Sequence, residues 1–427
     1  MDTKAEDAGA DSRVTPGGLW RNADFVKLWL GMNVSFLGTQ VSSLAYPLTA
    51  VLILHADTAE MGWLRATGTA ASFLVGPFAG VVADRVRRRP VIIASDLGSA
   101  LLAATIPAAF FLGVLGMGQL YVVQFLAGAI SICSEVALMA YLPALVRREQ
   151  LVRANSQLQA SSAAISVAGP GLAGVLVQVL SAPFVVLFDA ASFVLSAACT
   201  ALIRAPEPAH DAETSGRKGV WAEIGEGLRF VYGHGVLRPL AEAIALHFLF
   251  ANVIYTLLVI YAVRELGVEP APLGVVYAAL GPGFFVGALL APRAARRFGP
   301  GRVMTYATLL TLAGLSLVPL ARGPQAAAVS MLAAAHFVTA CGIQLHGINF
   351  VSLRQAVTPH RLQGRMNASF RYVNLLCACL GALLAGALAE RIGVRQTLAV
   401  GVCGLVLPFL RLFFSPVRRL REVPADS

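Results

Sequence analysis

The chain has 427 residues, 57% apolar and only 13% charged, where an ordinary soluble domain carries roughly 25% charged residues. So few charges cannot cover a water-exposed surface, which excludes a soluble globular protein and leaves the surplus apolar side chains to face lipid. The formal net charge is +10, from 30 Arg and 3 Lys, but these gather in a few loops rather than along one stripe, which excludes a nucleic-acid-binding surface.

The first segment, 1–24, is polar and holds Asp2, Glu6, Asp7 and Asp11. The apolar run after it is too long for a cleaved signal, so the chain inserts through a first helix that stays in place. Hydropathy predicts spans at 25–54, 61–83, 91–114, 119–146, 157–180 and 183–203. A polar linker, 205–238, separates these from spans at 240–263, 272–291, 303–320, 325–351, 366–389 and 397–414, with a tail at 415–427. The reading is therefore an all-α membrane protein whose twelve transmembrane helices form two pseudo-symmetric six-helix bundles, 25–204 and 239–414.

Twelve crossings put both termini on one side. If that side is cytoplasmic, the outer side keeps only Arg65, Arg264, Arg322, Arg391 and Arg395 of the 33 basic residues. This bias predicts a plasma-membrane protein with both termini in the cytoplasm. Arg371 falls among the inner-loop residues in this tally, with Arg354, Arg361 and Arg365.

The two halves repeat each other. Arg153, Asn155, Gly169 and Gly174 recur as Arg365, Asn367, Gly381 and Gly386, all at one constant displacement along the chain, in the fifth and eleventh spans. Two parallel repeats joined by a longer linker are expected of a transporter whose halves rock about a central site. Within the linker, 220–232 reads either as an amphipathic helix with Trp221, Ile224, Leu228 and Val231 on its apolar face or as a flexible tether. The six cysteines lie in apolar runs without metal-site spacing and read as packing residues, so neither metal nor cofactor is expected.

After the second span come Gly80, Asp84, Arg85, Arg88 and Arg89. Gly80 permits close helix approach, Asp84 can accept from free N–H groups at a helix N-terminus, and the arginines can pair with carboxylates or lipid phosphates. This loop resembles the signature loop of the major facilitator superfamily, and the resemblance implies a latch between the halves on the cytoplasmic side. Asp96, near the inner end of the third span, reads as an anchor for that loop. The second copy keeps Arg296 and Arg297 but has Ala291 and Pro292 in place of the Asp-Arg pair, so the first half should hold the stronger latch.

The fifth span carries Gly169, Pro170, Gly171 and Gly174, similar to the Gly-Pro motif of the antiporter branch of that superfamily. Matching stretches run from Trp20–Phe25 through Leu142–Val146, Arg153–Asn155 and Asp189–Phe193 to Gly364–Asn367. They resemble a drug-efflux branch that includes macrolide and enterobactin-type exporters. The resemblance implies export and gives no substrate.

Charges inside a membrane are costly and mark function or pairing. Glu135, mid-span in the fourth helix, is the first candidate for a proton-exchanging carboxylate; Asp189 in the sixth helix reads rather as a structural pair, and His247 is a further proton-coupling candidate. The superfamily's antiporters place an Arg in the fourth helix where this chain has Gln124, so Glu135 would need another partner. Cavity candidates are Asn33, Gln40 and Gln124 in the first half and Asn252, Tyr255, His336 and Gln344 in the second, a mostly apolar wall suited to amphiphilic molecules.

The chain contains no phosphate-binding Gly-x-x-x-x-Gly-Lys-Ser/Thr loop, which disfavours ATP-driven pumping. Expected partners are a small-molecule substrate, protons and membrane lipids, with no nucleic acid and a functional monomer. The leading reading is proton-coupled efflux of small organic molecules; nutrient uptake or facilitated diffusion on the same fold is the alternative, and a membrane-embedded enzyme or sensor a remote one.

Overall fold

A computed structural model describes residues 18–83, 87–205 and 220–421. The helices of the first half are α1 (Ala23–Leu52), α2 (Thr58–Ala83), α3 (Arg88–Phe111), α4 (Met117–Leu145), α5 (Leu151–Leu180) and α6 (Ala182–Ala201). A linker helix α7 (Val220–Gly233) precedes the second half: α8 (Leu237–Ile260), α9 (Pro270–Ala278), α10 (Leu280–Phe298), α11 (Pro300–Leu320), α12 (Gln325–Ala356), α13 (His360–Ile392), α14 (Val394–Gly404) and α15 (Val406–Phe413). Among the described residues, ten helical stretches are long and apolar enough to cross a membrane. With α1 and α2, of 30 and 26 residues, they make the twelve crossings expected.

Two of the predicted spans are broken, and proline explains both. The eighth crossing is split into α9 and α10 at Ala279, and the twelfth into α14 and α15 at Leu405. Pro282 has no N–H to offer the carbonyl of Ala278, and Pro408 none for Gly404, so the helical ladder fails one turn before each proline.

Side chains fix which helix ends lie together. Asn22 caps α1 by accepting from the N–H groups of Asp24 and Phe25, while its amide donates to Leu145 O at the end of α4, 2.7 Å away. Arg89, at the start of α3, donates to Thr200 O and Ala201 O at the end of α6, at 3.2 and 2.6 Å. These contacts gather one set of first-half helix ends around the start of α1. At the other end Arg264 donates to Val51 O and Arg395 to Ala321 O.

Each half is a bundle. In the first, α1 packs on α5 and α6, α3 on α4 and α6, and α2 on α4. In the second, α8 packs on α13, α14 and α15, α10 on α12, and α11 on α12. The linker segment 220–233 is a docked helix rather than a tether. Gly227 lies so close to α13 that a Cβ there would collide with Arg365 O, Ser369 Oγ donates to Ile224 O at 3.1 Å, and Arg365 pairs with Glu226 at 2.6 Å.

The halves meet most extensively at two crossings, α5 with α9 and α13 with α2. In the first, a Cβ on Gly174 would lie 2.8 Å from Gly274 Cα and 2.5 Å from Pro270 O. In the second, a Cβ on Gly386 would lie 2.9 Å from Ala59 Cα, and one on Gly62 3.2 Å from Gly386 Cα. Gly62 and Gly274 are separated by the same stretch of chain as Gly174 and Gly386. The sequence repeat is thus realised as a pair of symmetry-related backbone contacts, close because glycine carries no side chain. Both lie toward the end opposite the start of α1, which they close.

Candidate functional site

A cavity of about 570 Å³ opens inside the first bundle; its lining residues all belong to that half, and Asn252, Tyr255, His336 and Gln344 are not among them. Its wall runs from Leu28, Ile92 and Thr200 near the start of α1 to Tyr46 and Arg65 toward the closed end. From Leu28 to Tyr46 this spans roughly 27 Å of α1 at 1.5 Å per residue. The wall is richer in hydroxyls than a mostly apolar pocket, with Ser42, Ser95, Ser131 and Ser196 among them.

Glu135 lies on this wall and has a basic partner in the opposite bundle. Arg371 Nη2 donates to Glu135 Oε2 at 3.4 Å, both side chains being about half exposed; Glu135 lines the cavity and Arg371 is not among its lining residues. In the neighbouring α2–α13 contact, Phe73 of α2 stacks on Tyr372 of α13 with ring centroids 4.2 Å apart. Arg371 is not the loop residue expected from the charge tally: α13 begins at His360, so Arg371 sits three helical turns into the span.

Asp189 is buried between α6 and α1, beside Ser42 and Ser192. Its Oδ1 has no hydrogen-bond partner, and neither has Ser42 Oγ. No basic group is paired with it among the described residues, so the basic partner of a structural pair is not found there. Asp96 is likewise buried, with Ser196 of α6 beside it across the α3–α6 contact. It does not take Arg89, whose guanidinium is spent on the last carbonyls of α6. Asp84 and Arg85 lie outside the described residues, and of Gly80 only its place in the last turns of α2 is described. Arg88 opens α3, and Arg296 and Arg297 are exposed at the end of α10.

The polar candidates of α1 divide. Asn33 lines the cavity while donating to Trp29 O, but Gln40 turns toward α5, where a Cβ on Gly169 would meet its Cβ at 2.5 Å. Pro170 sits inside α5 beside this crossing, its carbonyl against Gly274. In the second half, Gly381 packs on Leu249 O of α8 as Gly169 packs on α1. Gln344 stays in the second bundle, against Gly287 of α10. His247 of α8 faces His346 of α12, whose Nδ1 lies 3.2 Å from Met304 O. His336 is buried, its Nδ1 against Leu332 O and its ring 5.2 Å from that of Tyr277.

Sequence reasoning misses Arg65 most clearly. The charge tally places it on the outer side, yet α2 begins at Thr58, so Arg65 lies two turns inside the helix, where it is exposed and lines the cavity. Gln124 of α4 lines the same cavity, near Gly68 of α2. Arg65 Nε donates to Asn252 Oδ1 at 3.1 Å, and Tyr255 and Tyr277 lie around its charge. The sequence held the signal: Tyr277 follows Arg65, and Asn252 follows Gln40, at the displacement that separates Gly174 from Gly386. The offset that relates the glycines therefore relates these residues too. Among the described residues, no three His, Cys, Asp or Glu side chains converge as a metal-binding group.

Residues 28–382 match the family model of the Major Facilitator Superfamily. The chain belongs to the Major Facilitator Superfamily. It is 26% identical over 414 residues to the enterobactin exporter EntS of Salmonella typhi, covering 94% of this chain and 95% of that one. It is 27% identical over 401 residues to the multidrug efflux pump Tap of Mycolicibacterium fortuitum, covering 91% and 94%. The crystal structure of the nucleoside transporter NupG superposes with a TM-score of 0.73 at 13% identity, covering 91% of this chain and 97% of that one, which shows a shared fold. This superfamily member is a multi-pass membrane protein.

Proposed function

We propose that this chain is a proton-coupled exporter of small amphiphilic organic molecules, working by alternating access of its two bundles. The observation that carries the coupling is the Glu135–Arg371 contact. Of the three proton-coupling candidates, Glu135 is the one with a charged partner in the opposite bundle. Asp189 and His247 each face groups of their own bundle. Rocking of the bundles leaves those partners in place but changes the distance between Glu135 and Arg371. Protonation of Glu135 removes the attraction and favours separation at that level; loss of the proton restores it.

The positive-inside bias of the loops supports an orientation with the termini in the cytoplasm of a plasma-membrane protein. In that orientation the Gly174–Gly274 and Gly62–Gly386 crossings close the outer side, and the cavity reaches toward the cytoplasm. A substrate enters from inside or from the inner leaflet, the crossings part, and proton binding from outside resets the pump. The efflux activities named for EntS and Tap, which span nearly the same length, support export over uptake. We further assign the working unit as the monomer, with bundles at 25–204 and 239–414, and no catalytic step on the substrate.

The test is a panel of antibiotics, dyes and siderophores in a host lacking its own pumps, with and without an uncoupler. Lower cell accumulation that the uncoupler abolishes supports the reading. Higher accumulation, or efflux indifferent to the uncoupler, contradicts it.

A further inference from the structure

The α2–α8–α9 junction holds a surplus of donors. Arg65 uses Nε on Asn252, and among the described residues no carboxylate lies within 4.0 Å of its guanidinium. The remaining guanidinium nitrogens make no hydrogen bond to a described residue, and the hydroxyls of Tyr255 and Tyr277 have none either. Arg65 keeps its charge and is exposed at the cavity, so its free donors face whatever molecule occupies that space. Three other arginines of the bundles have a charged or doubled acceptor: Arg371 has Glu135, Arg411 has Glu242, and Arg395 has Tyr261 Oη and Ala321 O.

We infer that Arg65, with the hydroxyls of Tyr255 and Tyr277, is the anchor for an anionic group on the transported molecule, so that the cargo class is amphiphilic organic acids. This rests on the transport reading above and deepens it. A carboxylate, sulfonate or ionised enol offers the acceptor lone pairs that these donors lack, and a guanidinium binds such groups through two parallel bonds. The cavity wall that continues from Arg65, with Gln124, Ser131 and Phe36, supplies a mixed surface for the rest of the molecule.

The position also links binding to gating. Arg65 lies one helical turn from Gly62, and Tyr277 one turn from Gly274. The anchor therefore sits directly beneath both glycine crossings that close the molecule. An anion held between Arg65 on one bundle and Tyr255 and Tyr277 on the other bridges the halves at that level. Parting of the crossings pulls the donors away from one another and lowers affinity as the site opens.

The experiment uses the purified full-length protein and matched naphthalene probes: 1-naphthoate, 1-naphthalenesulfonate, the neutral 1-naphthamide and the cation 1-naphthylmethylammonium. Thermal unfolding is followed at rising probe concentration for the native chain, Arg65→Gln and Arg65→Lys. The inference expects half-saturation by the anions at least tenfold lower than by the amide, loss of that preference in R65Q, and partial retention in R65K. It is overturned if the anions show no advantage, if R65Q keeps it, or if the cation binds best. R65Q must elute as the native protein does and unfold within a few degrees of it. Otherwise R65K decides: a weakened anion preference supports the inference, and one of full native strength overturns it. Uncoupler-sensitive efflux of neutral or cationic compounds that survives R65Q overturns the anion anchor alone. Absence of any uncoupler-sensitive efflux in the native protein overturns the transport reading instead.

Discussion

Arg371 of α13 reaches across the interface between the two bundles to Glu135 of α4, with 3.4 Å between Nη2 and Oε2. Both side chains are about half exposed, so the pair adds at most about 1 kcal/mol to stability. Glu135→Gln and Arg371→Gln should therefore unfold within ~1 kcal/mol of the native protein. Both should lose proton-driven transport, and the charge swap E135R with R371E should restore part of it. Thermal unfolding beside vesicle transport checks this; a loss of ~3 kcal/mol or more would make the pair a structural one.

The three proton-coupling candidates are separable by their partners. Asp189 faces Ser42 and Ser192, and His247 faces His346, each within one bundle. Asp189→Asn and His247→Asn should keep proton-driven transport within ~3-fold of native, whereas Glu135→Gln should reduce it more than ~10-fold. Equal losses in all three would refute the assignment of coupling to the inter-bundle contact.

The glycine crossings predict a shift in which end is closed. A methyl group at Gly174 would come within 2.5 Å of Pro270 O, and one at Gly386 within 2.9 Å of Ala59 Cα. Gly174→Ala and Gly386→Ala should push the bundles apart at that end, at a cost of ~1–3 kcal/mol. A single cysteine placed at Thr58 should then react faster with a membrane-impermeant maleimide. Gly116→Ala, which has nothing within 4 Å, is the control and should change neither rate nor stability.

Much of this is legible in the sequence because lipid imposes a coarse code. Apolar runs mark the twelve spans, and the constant displacement between the halves pairs Gly174 with Gly386, which the fold places at matching crossings. Arg65 and Arg371 are misplaced by sequence for one reason: a tally of loop charges assigns each arginine to the nearer side, while both lie inside helices, two and three turns from the helix start. The breaks at Ala279 and Leu405 escape hydropathy because it ignores the missing N–H of Pro282 and Pro408. Which of Asp189 and Glu135 faces the other bundle depends on helix rotation, which composition does not encode.

Ser181 offers a test of the backbone. It joins α5 to α6 at φ 67° and ψ 152°, a region almost confined to glycine. Its counterpart in the second repeat, Gly393, has φ 84° and ψ 161°. Ser181→Gly should raise stability by ~1 kcal/mol, and Gly393→Ser should lower it by ~1–3 kcal/mol. Opposite signs in thermal unfolding check the strain; a destabilised S181G would contradict it.

The decisive measurement compares drive with exchange in reconstituted vesicles, using a substrate found in the efflux panel. Native protein should accumulate it against its gradient when an outward proton gradient (acidic lumen) is imposed on everted vesicles, and should also exchange internal for external substrate without any gradient. Glu135→Gln should lose the first and keep the second. If E135Q still concentrates substrate at the native rate, Glu135 and its contact with Arg371 do not couple protons to the rocking of the bundles.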